Sequence, residues 1–391
     1  MRLNSSHIAL ISALFGVLML AGCQTIQFER PHVLSESDWP TDDGQETRSR
    51  YHDVSTGLPM QLAWEYGANA GFGPASPLIL QDRVLIGNRK GELHSVELET
   101  GRGRGFKQLV DVIEGSPLIH EGLALVPAAW GRDVLVAFDL SQGAIRWKKR
   151  RIPFSTSLIA HGSEVVAVDV EGTLRAFEVE DGEELWTMSL GGTMAFKASP
   201  VRLSETDILL VESSGTAFRV NLDEQTVVWE RDLGAPVYST PAVDGNQFVV
   251  TTTRGDVALV DASTGQEVWR HNIGEHMRVG SPALGPEWIV FGATDGQVRS
   301  LSRIHGQENW SVQFDDVVTA PPLLTDSAVF VGTLGEELYA LDITDGRILW
   351  ETEVRGRIKS AMAWADEGLL VLTEPKWLMY YKPVSSEEND E

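Results

Sequence analysis

The sequence predicts an all-β fold, an eight-bladed β-propeller of four-stranded antiparallel blades closed by N- and C-terminal strands that share one blade. Three observations predict it. Tryptophans 147, 186, 229, 269, 310 and 350 recur at intervals of 39, 43, 40, 41 and 40 residues. Stepping back from Trp147 by similar distances reaches Phe106 and then Trp64, which makes eight copies. The last copy supplies no Gly-x-x-x-Trp strand of its own after Trp350, whereas Trp64 stands near the start without a preceding repeat. A ring explains both leftovers, because the first and last segments complete one blade.

Each copy reads as four short strands. Ala137-Phe-Asp-Leu-Ser-Gln-Gly143-Ala-Ile-Arg-Trp147 and Leu259-Val-Asp-Ala-Ser-Thr-Gly265-Gln-Glu-Val-Trp269 show the hairpin that ends a blade. One strand runs into an Asp-containing turn, Gly supplies the positive φ, and the return strand carries Trp. About a dozen residues later a small residue followed by Pro opens the next strand, as at Ser76-Pro77, Ser116-Pro117, Ser199-Pro200, Thr240-Pro241 and Ser281-Pro282. A short apolar strand such as Phe248-Val-Val-Thr251 follows. Trp64, Phe106, Trp147, Trp186, Trp229, Trp269, Trp310 and Trp350 are expected to be structural, each ring packing between blades while an indole N–H finds a partner.

The ends read differently. Residues 8–20 form an apolar run behind Arg2, too short for a mature membrane span and of the right length for a signal peptide. Leu20-Ala21-Gly22-Cys23 follows at once and resembles the bacterial lipobox, which implies cleavage before Cys23 and its lipidation. Residues 24–50 lack apolar periodicity. The organisation expected is therefore a lipoprotein signal peptide at 1–22, lipidated Cys23 and a polar tether over 23–50, a propeller over 51–384, and an acidic tail at 385–391. With Gln24 rather than Asp after the cysteine, the lipoprotein resemblance implies an outer-membrane anchor facing the periplasm.

Composition narrows the function. The chain of 391 residues carries 56 Asp+Glu against 32 Lys+Arg, a net charge of -24, and a single cysteine. One cysteine excludes a disulfide scaffold and Cys-based metal sites. The negative charge opposes general nucleic-acid binding, which depends on counterion release from phosphates. No His-Glu-x-x-His, Gly-x-Ser-x-Gly or phosphate-loop motif occurs. His120 and His161 lie 41 residues apart at equivalent turns of successive copies, so repeat position accounts for them. The carboxylates Asp139, Glu178, Asp261 and Asp342 likewise recur at the repeat interval, which spreads them round the ring instead of gathering them on one cation.

The Ala-x-Asp-x-x-Thr/Asp-Gly-x-x-x-Trp pattern resembles the quinoprotein, or PQQ-type, propeller repeat. In quinoprotein dehydrogenases many members rest the quinone on a disulfide, which a single cysteine cannot form. No cofactor, metal or catalytic residue is therefore expected. The lipobox, the polar segment and eight repeats together resemble the outer-membrane protein assembly factor BamB family. That resemblance implies a non-enzymatic lipoprotein scaffold that binds the POTRA domains of the barrel-inserting subunit BamA, with another envelope protein or a polysaccharide as the alternative partner. At the places matching the family's docking loops this chain reads Met194-Ala195-Phe196-Lys197 and Pro236-Val237-Tyr238, so those binding residues are not carried over. Arg102, Arg104, Lys107, Lys148, Lys149, Arg150 and Arg151 form the densest cationic stretch on two successive outer strands, and are expected to make a basic partner-docking patch on the rim.

Overall fold

The computed structural model describes residues 26–28, 38–191, 195–274 and 277–384. The expected signal peptide, Cys23 and the expected acidic tail lie outside the described residues. The described residues contain strands and no helix, arranged as eight antiparallel sheets. Blade 1 is built from Leu78–Leu80, Arg83–Gly87, Glu92–Glu97 and Gly103–Gln108, paired in that order from the axis outward. Blades 2 to 7 repeat this meander over 118–150, 159–189, 201–232, 242–272, 283–313 and 323–353.

Blade 8 closes the ring as expected. Its strands Ala363–Ala365, Gly368–Glu374 and Trp377–Pro383 come from the end of the propeller, and its outer strand, Met60–Gly67, comes from the beginning. A two-residue strand, Arg357–Ile358, also pairs with Gly368–Glu374. Strands near the axis are covered on both faces by neighbouring blades, so they read as unbroken apolar runs; Ala328–Gly332 is buried at every position. Outer strands have one covered face and alternate, as Glu267–Asn272 does.

The tryptophan repeat has one geometric cause. The indole N–H of Trp64, Trp147, Trp229, Trp269 and Trp310 donates to the carbonyl of Leu98, Val179, Ala262, Arg303 and Ile343 in the following blade, at 2.8–3.0 Å. Three residues beyond each acceptor stands Gly101, Gly182, Gly265, Gly306 or Gly346, and a Cβ there would lie 2.5–3.0 Å from the indole. The turn glycine is needed for its positive φ and for the ring that lies on it. Where blade 4 has Gln225 in the glycine place, the preceding Trp186 turns its N–H to Glu164 of its own blade instead. Trp350 faces the closing blade, which has no such turn, and meets Tyr381 edge-on. Phe106 stacks on His94 at 5.1 Å and is 48% exposed.

The polar tether expected over 23–50 does not extend through 38–50. Trp39, Thr41, Asp43, Arg48 and Arg50 are buried, and their segment is part of the ring. The physical reason is hydrogen bonding rather than apolar periodicity, which is why a search for hydrophobic pattern misses it.

Candidate functional site

The innermost strand of a propeller blade has a free edge facing the axis, and its buried amides need acceptors. Residues 39–50 supply them. The backbone N–H groups of Ile79, Ile119, Arg202, Val243, Leu284 and Leu324 donate to the carbonyls of Trp39, Pro40, Glu46, Thr47, Ser49 and Arg50, at 2.8–3.0 Å. Ala160 N–H donates to the Glu46 side chain at 2.7 Å. All seven donors are the second residue of the inner strand of blades 1 to 7. The segment is thus a strap that visits seven blades in chain order round the axis. It then leaves beside blade 7, where His52 N–H donates to Leu324, and runs outward to become the outer strand of blade 8.

Charged side chains fix the strap. Arg48, fully buried, donates to Pro200 O at 3.1 Å and pairs with Asp42 at 3.0 Å. Arg50 pairs with Asp43 at 2.5 Å and donates to Pro282 O at 2.7 Å. Burial pushes the Asp43 carboxyl above the ordinary range while Arg50 pulls it back. Asp42 accepts from Ser76 N–H at 2.9 Å and Ser116 Oγ at 3.1 Å. Trp39 stacks on His52 at 4.4 Å, and Gly44, with φ +80°, lies against its indole.

The strap lines the inner end of a central funnel of about 370 Å³. Its wall is a ring of hydroxyl residues that stitch successive blades: Ser157 N–H donates to Ser199 Oγ, Ser199 N–H to Thr240 Oγ1 and Thr240 N–H to Ser281 Oγ, at 3.0–3.2 Å. The small residues Ser199, Thr240 and Ser281 before the strand-opening Pro are therefore links between blades. At the mouth, Lys197 Nζ sits 4.0 Å over the Tyr238 ring, joining the two loops that precede Pro200 and Pro241, while Lys359 pairs with Glu374. Met194 lies outside the described residues.

The predicted rim cations are distributed as follows. Arg104 pairs with Glu97, and Lys148 and Arg150 both pair with Asp133 at 2.6 and 2.8 Å. Lys149 is half-buried over the Trp147 and Phe177 rings. Arg102 and Arg151 are exposed and Lys107 is half-buried. Each of these ion pairs lies within one blade, Arg104 with Glu97 on blade 1 and Lys148 and Arg150 with Asp133 on blade 2.

His120 and His161 do not converge: His120 meets Gly162 O at 2.7 Å and His161 meets Asp223 at 2.8 Å. Asp139, Asp261 and Asp342 each accept backbone N–H groups of their own hairpin turn. The hydroxyls of Ser263 and Thr344 hold the Asp261 and Asp342 carboxyls below the usual range. Among the described residues, no three His, Cys, Asp or Glu side chains are grouped to hold a metal ion. The strap residues Asp42, Asp43, Arg48 and Arg50 are the part of the site that sequence reasoning missed. Their only signal is Trp39 followed by acids at 42, 43 and 46 and arginines at 48 and 50, which also suits a solvated linker.

Known proteins place this geometry in a family. The profile described as "Outer membrane protein assembly factor BamB" matches residues 53–178, 110–236, 170–317 and 294–380. The BamB of Bordetella pertussis is 24% identical over 92% of this chain and 93% of its own length. That of Alkalilimnicola ehrlichii is 30% identical over 48% of this chain and 51% of its own. The crystal structure of BamB from Moraxella catarrhalis superposes with a TM-score of 0.68 at 17% identity, covering 83% of this chain and all of that one. A quinohemoprotein alcohol dehydrogenase from Comamonas testosteroni superposes with a TM-score of 0.74 at 14% identity, covering 88% of this chain and 80% of that one. The two superpositions are likenesses of fold alone. The sequence match runs through all eight blades, and by it the chain belongs to the family of the outer membrane protein assembly factor BamB.

Proposed function

We propose that this protein is a non-enzymatic scaffold of outer-membrane protein assembly, held at the outer membrane by lipid on Cys23 and facing the periplasm, where it docks on the POTRA domains of a BamA-like barrel-inserting subunit. The observation that carries the reading is the family match over residues 53–380, supported by a relative named as an assembly factor that aligns over 92% of the chain. The structure suits the role. A ring tied at hub and rim offers loops to a partner with little rearrangement on binding. The charged groups of the funnel are largely committed to one another, in the pairs Asp42–Arg48, Asp43–Arg50 and Lys359–Glu374, which suits a structural hub more than reaction chemistry. The dehydrogenase likeness is one of fold and lends no activity.

The mouth loops favour a second reading. Phe196, Lys197 and Tyr238 stand where the family's docking residues differ, so a different envelope protein or a polysaccharide is the alternative partner. One experiment tests both. Crosslinking the anchored protein in cells should capture the barrel-inserting subunit, and Cys23→Ala should release the protein from the membrane fraction. Repeated capture of another envelope component in its place would overturn the assembly reading, and unchanged fractionation of Cys23→Ala would overturn the anchor.

A further inference from the structure

Blade 2 departs from the repeat at one position, and a groove results. Four residues after the outer-strand tryptophan, blades 3 to 7 carry Leu190, Leu233, Ile273, Phe314 and Val354. Leu233, Phe314 and Val354 are buried, and Leu190 and Ile273 pack partly buried against the core. Blade 2 carries Arg151 there, exposed and with φ +99°. An arginine without a buried partner does not follow an apolar side chain into a core. The chain turns outward, and a groove of about 220 Å³ remains between blades 2 and 3, with Lys149, Arg151, Ile152, Phe154 and Phe177 in its lining. Phe154 and Phe177 are buried and meet edge-to-face at 6.1 Å.

The cations of this groove fall into two groups. Arg150 is paired with Asp133, and Arg175 with Asp169 and Glu184. Lys149 and Arg151 have no carboxylate within 4.0 Å among the described residues; Lys149 instead lies 5.4 Å over the Phe177 ring. Two uncompensated cations thus flank an aromatic slot on a chain whose net charge is -24. The general field of such a chain repels acidic partners, so a local cationic slot selects where one can land. An anionic bilayer is the poorer fit, because it would present its charge to the rest of a chain whose net charge is -24 as well as to the slot.

We propose that the groove between blades 2 and 3 is a docking site for an extended acidic peptide segment of a partner protein. An apolar side chain of the segment enters against Ile152, Phe154 and Phe177, and its flanking carboxylates meet Lys149 and Arg151. The guest thereby supplies the apolar group that the repeat withholds at Arg151. This inference stands on the groove alone, and its failure would leave the assembly reading untouched.

The probe is a fluorescein-labelled peptide, Glu-Asp-Leu-Glu-Phe-Asp-Glu, titrated with the purified full chain and followed by anisotropy. Lys149→Glu with Arg151→Glu should weaken binding by about tenfold or more, and Lys149→Gln with Arg151→Gln by less. A peptide with Ser in place of Leu and Phe should lose most of its affinity. Raising salt from about 0.05 to 0.3 M should weaken the charged part of the contact. Arg347→Glu, on the exposed rim of blade 7, should change nothing. Thermal melts of the Lys149 and Arg151 variants should stay close to the parent, because neither side chain makes an ion pair among the described residues and only the ring contacts of Lys149 are lost. Three results would overturn the proposal: equal binding by the charge-reversed variant, equal loss with Arg347→Glu, or flotation with phosphatidylglycerol vesicles that the peptide does not compete away.

Discussion

At the rim, blades 2 and 3 meet where the Trp147 indole lies on Gly182 and donates to Val179 O; at the hub, the same ring is held by Arg50, which reaches Asp43 and Pro282 O from a segment outside the blades. Both contacts tie separate sheets together, but the chemistry differs. The rim contact is apolar area plus one neutral hydrogen bond, repeated from blade to blade. The hub contact is a buried ion pair on a strap that occurs once. A repeated contact can lose one copy and leave the rest standing. A unique one has no second copy to stand in for it, and its charges are buried.

The largest effect is expected at the hub. Arg50→Ala leaves the Asp43 carboxylate buried without its cation, at a cost of about 3–5 kcal/mol, whereas replacing Arg50 and Asp43 together by Met and Leu should recover much of that loss. Chemical denaturation of both variants measures the difference, and equal destabilisation would show that the pair is not coupled. At the rim, Gly182→Ala combines a positive φ with a Cβ placed 2.6 Å from the Trp147 ring and should cost roughly 2–4 kcal/mol. Gly162→Ala, also at positive φ but with open space around its Cβ, should cost only about 1 kcal/mol. If the two alanines behave alike, the indole contact contributes nothing beyond the backbone.

A smaller effect than that of Arg50 or Gly182 separates hub from rim by pH. Burial lowers the pKa of His52, stacked on Trp39, from 6.5 to about 4. Between these values the unfolded chain binds the proton and the folded chain does not. The stability tied to His52 is therefore complete above pH 6.5 and is lost as pH falls toward 4. About 1–2 kcal/mol is expected, less than full linkage gives because part of the ring meets solvent. Melting the parent and His52→Gln between these pH values should show a flatter profile in the variant; parallel profiles would remove His52 from the account.

How legible each region was follows from its period. Trp147 with Gly182, and Trp310 with Gly346, belong to a pattern that recurs about every 41 residues, so the outer strands, the turns and the shared closing blade could be read directly. The hydroxyl ring was half-legible: the small residues before each Pro were visible, but their stitching role needs neighbouring blades side by side. Arg48, Asp42 and Asp43 were not legible, because a segment that caps six strand edges through its backbone and a seventh through Glu46 leaves no side-chain period. The groove at Arg151 was visible only as a cationic run, since the empty space beside it exists between two blades.

By itself the sequence determined the all-β class, the eight copies, their closure by the strand containing Trp64 and the family to which the repeat belongs. These follow from local spacing, which strand and turn geometry translate without reference to distant residues. The tertiary structure alone decided that residues 39–50 form the hub, that Ser199 and Thr240 link blades, and that Lys149 and Arg151 flank a slot while Lys148 and Arg150 are spent on Asp133. Those outcomes depend on which charges and amides are brought together when the ring closes, and burial sets their energies only after it has closed.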